Sequence, residues 1–196
     1  MQLQSSTINM MHKLFKDIAQ IKTGYPGQPD VAGSIPFIQL RQFNEDGILT
    51  SLESECIKLD EKSQPHLLRN GDVLLVAKGN RLFASVFEKD YTPTIASSSF
   101  FVITPNTKIV YPDYLAAILN APQTKNALMQ LGAGTNIFSL RKSELEAFEI
   151  PIPPLIKQKQ IAKVASLHQQ EIELANQIIT QKKELYKAII SKIIKL

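Results

Sequence analysis

The last 42 residues, Leu155 to Leu196, contain no glycine and no proline, whereas all 8 glycines and all 11 prolines of the chain lie between Gly24 and Pro154. A breaker-free stretch dominated by Ile, Lys, Gln, Ala, Leu and Glu predicts one continuous helix of about 63 Å at 1.5 Å per residue. It starts after Ile150-Pro151-Ile152-Pro153-Pro154, where the prolines fix φ and bar helix upstream. The chain therefore divides into a region 1–150, a proline hinge 151–154 and a helix 155–196. A helix of that length cannot fold back into a small domain of its own, so its apolar face needs a partner.

From Ile172 the steps Ile172, Ala175, Ile179, Lys182, Tyr186, Ile189, Ile193 and Leu196 alternate three and four, a heptad a/d register in which only Lys182 is polar. Ile178 and Leu185 widen the stripe on one side, Ile190 and Ile194 on the other. Upstream, Ile161, Val164 and His168 keep the spacing but slip by one residue before Ile172, which suits a different neighbour. The pattern predicts a coiled-coil spacer or dimerisation helix; the competing reading is a helix packed along its own domain.

Residues 1–150 read as a mixed α/β (α+β) domain. A helix is predicted over His12–Ile21 from the spacing of Leu14, Phe15, Ile18 and Ile21, followed by a Gly/Pro loop from Lys22 to Gly33. Strands are predicted over Ile35–Leu40, Ile48–Leu52 and Ser98–Thr104. Asp72–Lys78 and Arg81–Phe87 form strand-like runs about Gly79-Asn80, the composition of a two-residue hairpin turn. Pro112–Asn120 and Pro122–Leu131 predict helices with proline in the first turn. Ser143 and Glu146 have capping-box spacing for a short further helix.

The net charge of +4 belongs to the helix. Residues 1–150 carry 14 Lys+Arg against 15 Asp+Glu, and residues 151–196 carry 8 Lys against 3 Glu. Whole-chain basicity is therefore weak support for a nucleic-acid partner of the globular part. One cysteine, Cys56, excludes an internal disulfide framework and suits a reducing compartment, so a cytoplasmic protein is expected. No apolar run reaches the ~18–20 residues that cross a bilayer.

Catalytic chemistry finds little support. His12, His66 and His168 are far apart in sequence and have no metal-ligand spacing. Cys56 reads as a small hydrophobe rather than a thiolate nucleophile. Gly132-Ala133-Gly134 follows a predicted helix, the wrong context for a dinucleotide loop. Asp46, Asp60 and Lys62 have permissive spacing for a metal-dependent nuclease, although Asp60-Glu61-Lys62 reads better as a solvated turn.

The remaining distinctive residues are Gly71-Asp72 with its apolar strand, the Ser98-Ser-Phe-Phe strand, Tyr114 with Leu119-Asn120, Gly134-Thr-Asn, and Ile150-Pro-Ile-Pro-Pro-Leu-x-x-Gln158-x-x-Ile161. In that order they resemble the specificity (S) subunit of type I restriction-modification systems over nearly the whole chain. Lys157, where many members carry Glu, is a minor departure. Length is the larger one, because full S subunits resemble two such units in tandem, each a target recognition domain with its helix.

The resemblance implies a half-subunit that binds double-stranded DNA without catalysing anything. The unpaired heptad face then implies a homodimer reading an interrupted palindrome. Methylation and cleavage would belong to an adenine methyltransferase (M) subunit and a restriction (R) subunit, with S-adenosylmethionine, Mg²⁺ and ATP bound there and no cofactor or metal on this chain. Candidate DNA contacts are Arg81 beside the Gly79-Asn80 turn with Lys78 opposite and Asn80 itself; Lys22, Thr23 and Tyr25; Gln39 and Arg41; and Thr135 and Asn136. Arg suits bidentate readout of guanine. The alternative is a coiled-coil adaptor without sequence preference.

Overall fold

A computed structural model of the chain describes residues 11–44, 47–50, 55–88, 93–132 and 138–194. In chain order its elements are β1 (Met11–Leu14), α1 (Phe15–Ile18), β2 (Ala19–Thr23), β3 (Ile35–Ile38), β4 (Cys56–Ile57), β5 (Val73–Val76), β6 (Lys78–Gly79), β7 (Ala84–Val86), β8 (Ile95–Ala96), β9 (Phe100–Pro105), α2 (Pro112–Asn120), α3 (Pro122–Leu131), β10 (Phe138–Ser139), α4 (Lys142–Glu146), β11 (Glu149–Ile152) and α5 (Leu155–Ile194). Short 3-10 turns occupy Leu40–Gln42 and Gln64–His66. This is the expected mixed α/β domain followed by a long helix. Two compact units result, Met1–Lys159 and Gln160–Leu196.

The core of the first unit is an antiparallel sheet in the order β2-β9-β5-β7. β5 lies inside it, and its four apolar residues are all buried, which is why that run shows no polar alternation. Phe43, Phe83 and Phe100 meet in tilted and edge-on contacts at 4.9–6.1 Å between centroids. A smaller sheet, β4-β3-β8, buries Ile35, Phe37, Ile57 and Ile95.

Three residues of the signature motifs hold this framework together. Asp72 is buried, accepting from the Arg69 N–H (2.8 Å) and the Thr104 hydroxyl (2.7 Å), and so ties the turn before β5 to β9. Asn120 stands in for a neighbouring strand at the edge of β7. Its Oδ1 accepts from Ala84 N–H (3.0 Å) and its Nδ2 donates to Ala84 O (2.7 Å). Gln158, fully buried, accepts from Tyr111 N–H (2.8 Å) and donates to Ile109 O (2.9 Å) and Pro153 O (2.8 Å). The first turn of α5 is thereby fastened to the globular unit, which is why that unit runs to Lys159.

Four local expectations are corrected. His12–Ile21 is not one helix. Phe15 and Ile18 need only a single turn to reach the core together, while the backbone on either side is claimed by ladders, β1 with β11 and β2 with β9. Ile48–Leu52 gives only a bridge from Leu49 to Phe43 around Gly47, whose φ of +78° closes the turn, and residues 51–54 lie outside the described residues. The β5–β7 register, Val73↔Val86 to Leu75↔Ala84, is the one a Gly79-Asn80 turn would set, but the arms part beyond Val76. Ala77 and Lys78 donate to Ser99 O instead (2.7 and 3.3 Å), and Lys78–Gly79 pairs with β10. The start of α4 is capped not by Ser143 but by Glu144, whose carboxylate accepts from Arg141 N–H at 2.9 Å. Glu146 is left to pair with Lys142 at 3.4 Å.

Tyr114, 1% exposed, donates its hydroxyl to Pro151 O at 2.6 Å, and burial pushes its pKa up to about 12. A phenol whose pKa is raised on folding stabilises the native state below pH ~10, and that contribution fades as the pH climbs toward 12. Alkaline spectrophotometric titration should therefore find Tyr114 un-ionised at about pH 11, with Tyr114→Phe and the parent giving the same tyrosinate absorbance there. A lower absorbance in the variant would show an ordinary, accessible phenol.

Candidate nucleic-acid interface

The sheet register gathers several chain segments at one end. β2 leaves it at Thr23, opposite Phe101; β9 enters at Phe100, opposite Val76, where β5 ends; and β7 enters at Ala84. The connecting segments are stitched together by backbone hydrogen bonds. Gly24 N–H donates to Phe100 O (2.9 Å), Ser98 N–H to Tyr25 O (2.9 Å), Ser97 N–H to Ile38 O (2.8 Å) and Leu140 N–H to Ala77 O (2.8 Å). The segments after β2, β3 and β5 thus meet beside the start of β9 and the strand that follows residues 133–137.

Among the predicted contacts, Lys78 and Asn80 lie on the loop after β5 with exposed side chains. Arg41, on the 3-10 turn after β3, is exposed and ion-paired with the largely buried Glu55. Gln39, next to it, is half-buried, with its N–H bonded to Gln42 Oε1 at 2.7 Å. Lys22 and Thr23 are exposed at the end of β2, but as successive strand residues they point to opposite faces. Lys22 lines an open polar groove with Lys16, Gln20, Asn106 and Lys142. Tyr25 is less free than a loop residue was expected to be. It bridges to Ser97, packs on the small-sheet core, and meets the His66 ring edge-on at 5.2 Å. Thr135 and Asn136 lie outside the described residues.

Arg81 departs furthest from expectation. Its Nη1 donates to Asn44 O (2.8 Å) and its Nη2 to Leu40 O (2.8 Å) and Phe43 O (3.1 Å), while the guanidinium lies 5.8 Å from the Phe83 ring centroid. The fork suited to guanine is turned inward. Glu55 as the partner of Arg41, and the carbonyls as partners of Arg81, were not among the expected residues, because each is distant in sequence.

Asp60 closes a turn, accepting from the N–H groups of Lys62 (2.9 Å) and Ser63 (2.8 Å). The Ser63 bonds hold its carboxyl below the usual carboxylate range. Asp46 lies outside the described residues. Among the described residues there is no cluster of three His, Cys, Asp or Glu side chains able to hold a metal, and no helix long and apolar enough to cross a membrane. Cys56 is a free thiol on β4.

A mixed α/β domain followed by a long helix is a fold shared with solved specificity subunits of type I restriction-modification systems. Residues 9–183 match the family described as the type I restriction modification DNA specificity domain, and the chain belongs to that family. It is 25% identical over 116 residues to the Type I restriction enzyme EcoKI specificity subunit of Escherichia coli K12, an alignment covering 58% of this chain and 24% of that protein. Its fold is similar to the S subunit of a type I restriction-modification system from M. genitalium, with a TM-score of 0.62 and 15% identity over 88% of this chain and 42% of that one. The HsdS subunit from Thermoanaerobacter tengcongensis gives a TM-score of 0.59 and 16% identity, covering 88% and 40%. The chain spans less than half the length of each of these relatives.

Proposed function

We propose that this chain is a non-catalytic DNA specificity module of a type I restriction-modification system, contacting DNA from the sheet end through Lys78 on a phosphate and Asn80, Arg41, Gln39 and Thr23 beside the base edges. The observation that carries the proposal is the convergence on one sheet end of exposed polar side chains from three separate segments, Thr23, the cation Arg41, and the cation Lys78 with Asn80, in a member of a DNA specificity family. Such an end can set phosphate contacts for register beside side chains suited to base edges.

The module works as a homodimer through α5. Two-fold symmetry then presents two copies of one reader and selects an interrupted palindrome. It assembles in the cytoplasm with adenine methyltransferase and restriction subunits, which supply S-adenosylmethionine, Mg²⁺ and ATP chemistry.

The test is selection of the full chain against a randomised duplex pool, with and without a methyltransferase partner, followed by sequencing of what is retained. Enrichment of an interrupted palindrome is expected. No enrichment would leave a coiled-coil adaptor, and Mg²⁺-dependent loss of the pool a nuclease. On the selected palindrome, Lys78→Ala should flatten the dependence of log K on log salt by about two units, the signature of one lost phosphate contact in each copy.

A further inference from the structure

We infer that Arg81 is a positioning residue for sequence discrimination, a strap that fixes the Gln39–Asn44 segment against the sheet end rather than a side chain that touches DNA. The inference rests on the DNA reading proposed above and assigns a division of labour within it.

The geometry is specific. The backbone turns tightly from Leu40 to Gly47, with Leu40 O accepting from Phe43 N–H (3.3 Å) and Asn44 O from Gly47 N–H (3.1 Å), and the second lone pair of each carbonyl is left for a further donor. The Arg81 guanidinium occupies that place, spending three of its five N–H donors on the carbonyls of Leu40, Phe43 and Asn44. Its other side is backed by Phe83, itself packed against Phe43 and Phe100 in the core. The strap therefore joins two reading segments. Arg81 belongs to the loop that carries Lys78 and Asn80, and its acceptors belong to the segment that carries Gln39 and Arg41.

Base readout needs both segments held to within a fraction of an ångström, and a fork with three fixed donors supplies this where a lysine's point charge cannot. The consequence differs from that of a reader. A lost base contact relaxes one base pair per half-site, and a lost phosphate contact lowers affinity on all sequences alike. A lost strap blurs every base pair read by the two segments, with the phosphate count unchanged.

The experiment repeats the pool selection and salt titration on the full chain carrying Arg81→Lys and Arg81→Gln, and adds amide hydrogen exchange without DNA. Discrimination should fall about ten-fold or more in both variants, over several base pairs per half-site, with the salt slope kept. Exchange should quicken at Phe43, whose N–H bonds to Leu40 O, and at Thr50, whose N–H bonds to Gln42 O. Relaxation at a single base pair per half-site or a slope shallower by about two in Arg81→Gln would show direct DNA contact, and full discrimination in Arg81→Lys would show that a point charge replaces the fork; either overturns the inference while the DNA reading stands. Unchanged exchange at both amides would overturn the strap whatever the DNA result. Absence of any preference in the parent chain would bring down the DNA reading and this inference together.

Discussion

Replacing Gln158 by Leu is expected to destabilise the globular unit by about 3 kcal/mol, seen as a lower urea midpoint at unchanged m-value. The size follows from what is stranded. Gln158 is fully buried, and its loss leaves Tyr111 N–H, Ile109 O and Pro153 O without the partner that now satisfies all three. An unsatisfied buried group costs about 1–3 kcal/mol, and water reaching the two part-buried partners, Tyr111 N–H and Ile109 O, would hold the sum near the upper end for a single group. Lys157→Leu, one residue earlier on the exposed side of the helix, should stay within about 0.5 kcal/mol.

Gln158→Glu adds a second readout. The introduced carboxylate would face two carbonyls in a dry site, so its folded-state pKa rises above the unfolded value near 4.3. With the folded pKa raised, the variant's deficit relative to the parent is smallest below about pH 4.3 and grows as the pH climbs. A deficit independent of pH would mean that solvent reaches the site.

The signature that carried the family resemblance is thus a set of framework residues. Asp72, Asn120, Tyr114 and Gln158 spend their polar atoms on the chain's own backbone and on Thr104, and none is among the proposed DNA contacts. Their spacing is visible in sequence because the framework demands particular side chains at particular places. The helices α2, α3 and α5 and the strands β5 and β9 were legible for a simpler reason. Proline boundaries and apolar runs mark them locally, with no help from distant segments.

What could not be read locally is what the ladders and long-range bonds decide. The fragment 12–21 has helical spacing, yet β11 and β9, more than eighty residues away, claim most of its backbone. The hairpin register about Gly79-Asn80 was legible from its symmetry, but the turn was not, because Ser99 and β10 compete for it. Arg81 looked like a free fork for the same reason. Its acceptors lie 37 to 41 residues upstream, and nothing beside it in the sequence announces them.

In the proposed dimer, charging the helix face with Ile189→Asp and Ile193→Asp together should convert the chain to a monomer by sedimentation or light scattering and weaken binding to the selected palindrome by roughly 10²–10⁴-fold. Ile179, Tyr186, Ile189 and Ile193 are 48–67% exposed on α5, and in a two-fold pair each would pass into an interface, at about 1.5–3 kcal/mol for a fully buried large side chain. Two buried carboxylates per chain reverse that gain outright. The loss on the palindrome follows from linkage. Once one reader is bound, the second searches at a millimolar effective concentration, and without the helix pair it binds as an independent molecule. Binding to an isolated half-site should therefore be unchanged by the double variant, which separates lost dimerisation from damage to the reader. Lys182→Ile, placed at the one polar position of the heptad register, should act in the opposite sense and hold the dimer to lower concentrations. A parent chain that is monomeric at micromolar concentration, or a double variant that keeps its palindrome affinity, would remove the symmetric pair from the mechanism and leave two readers to be joined some other way.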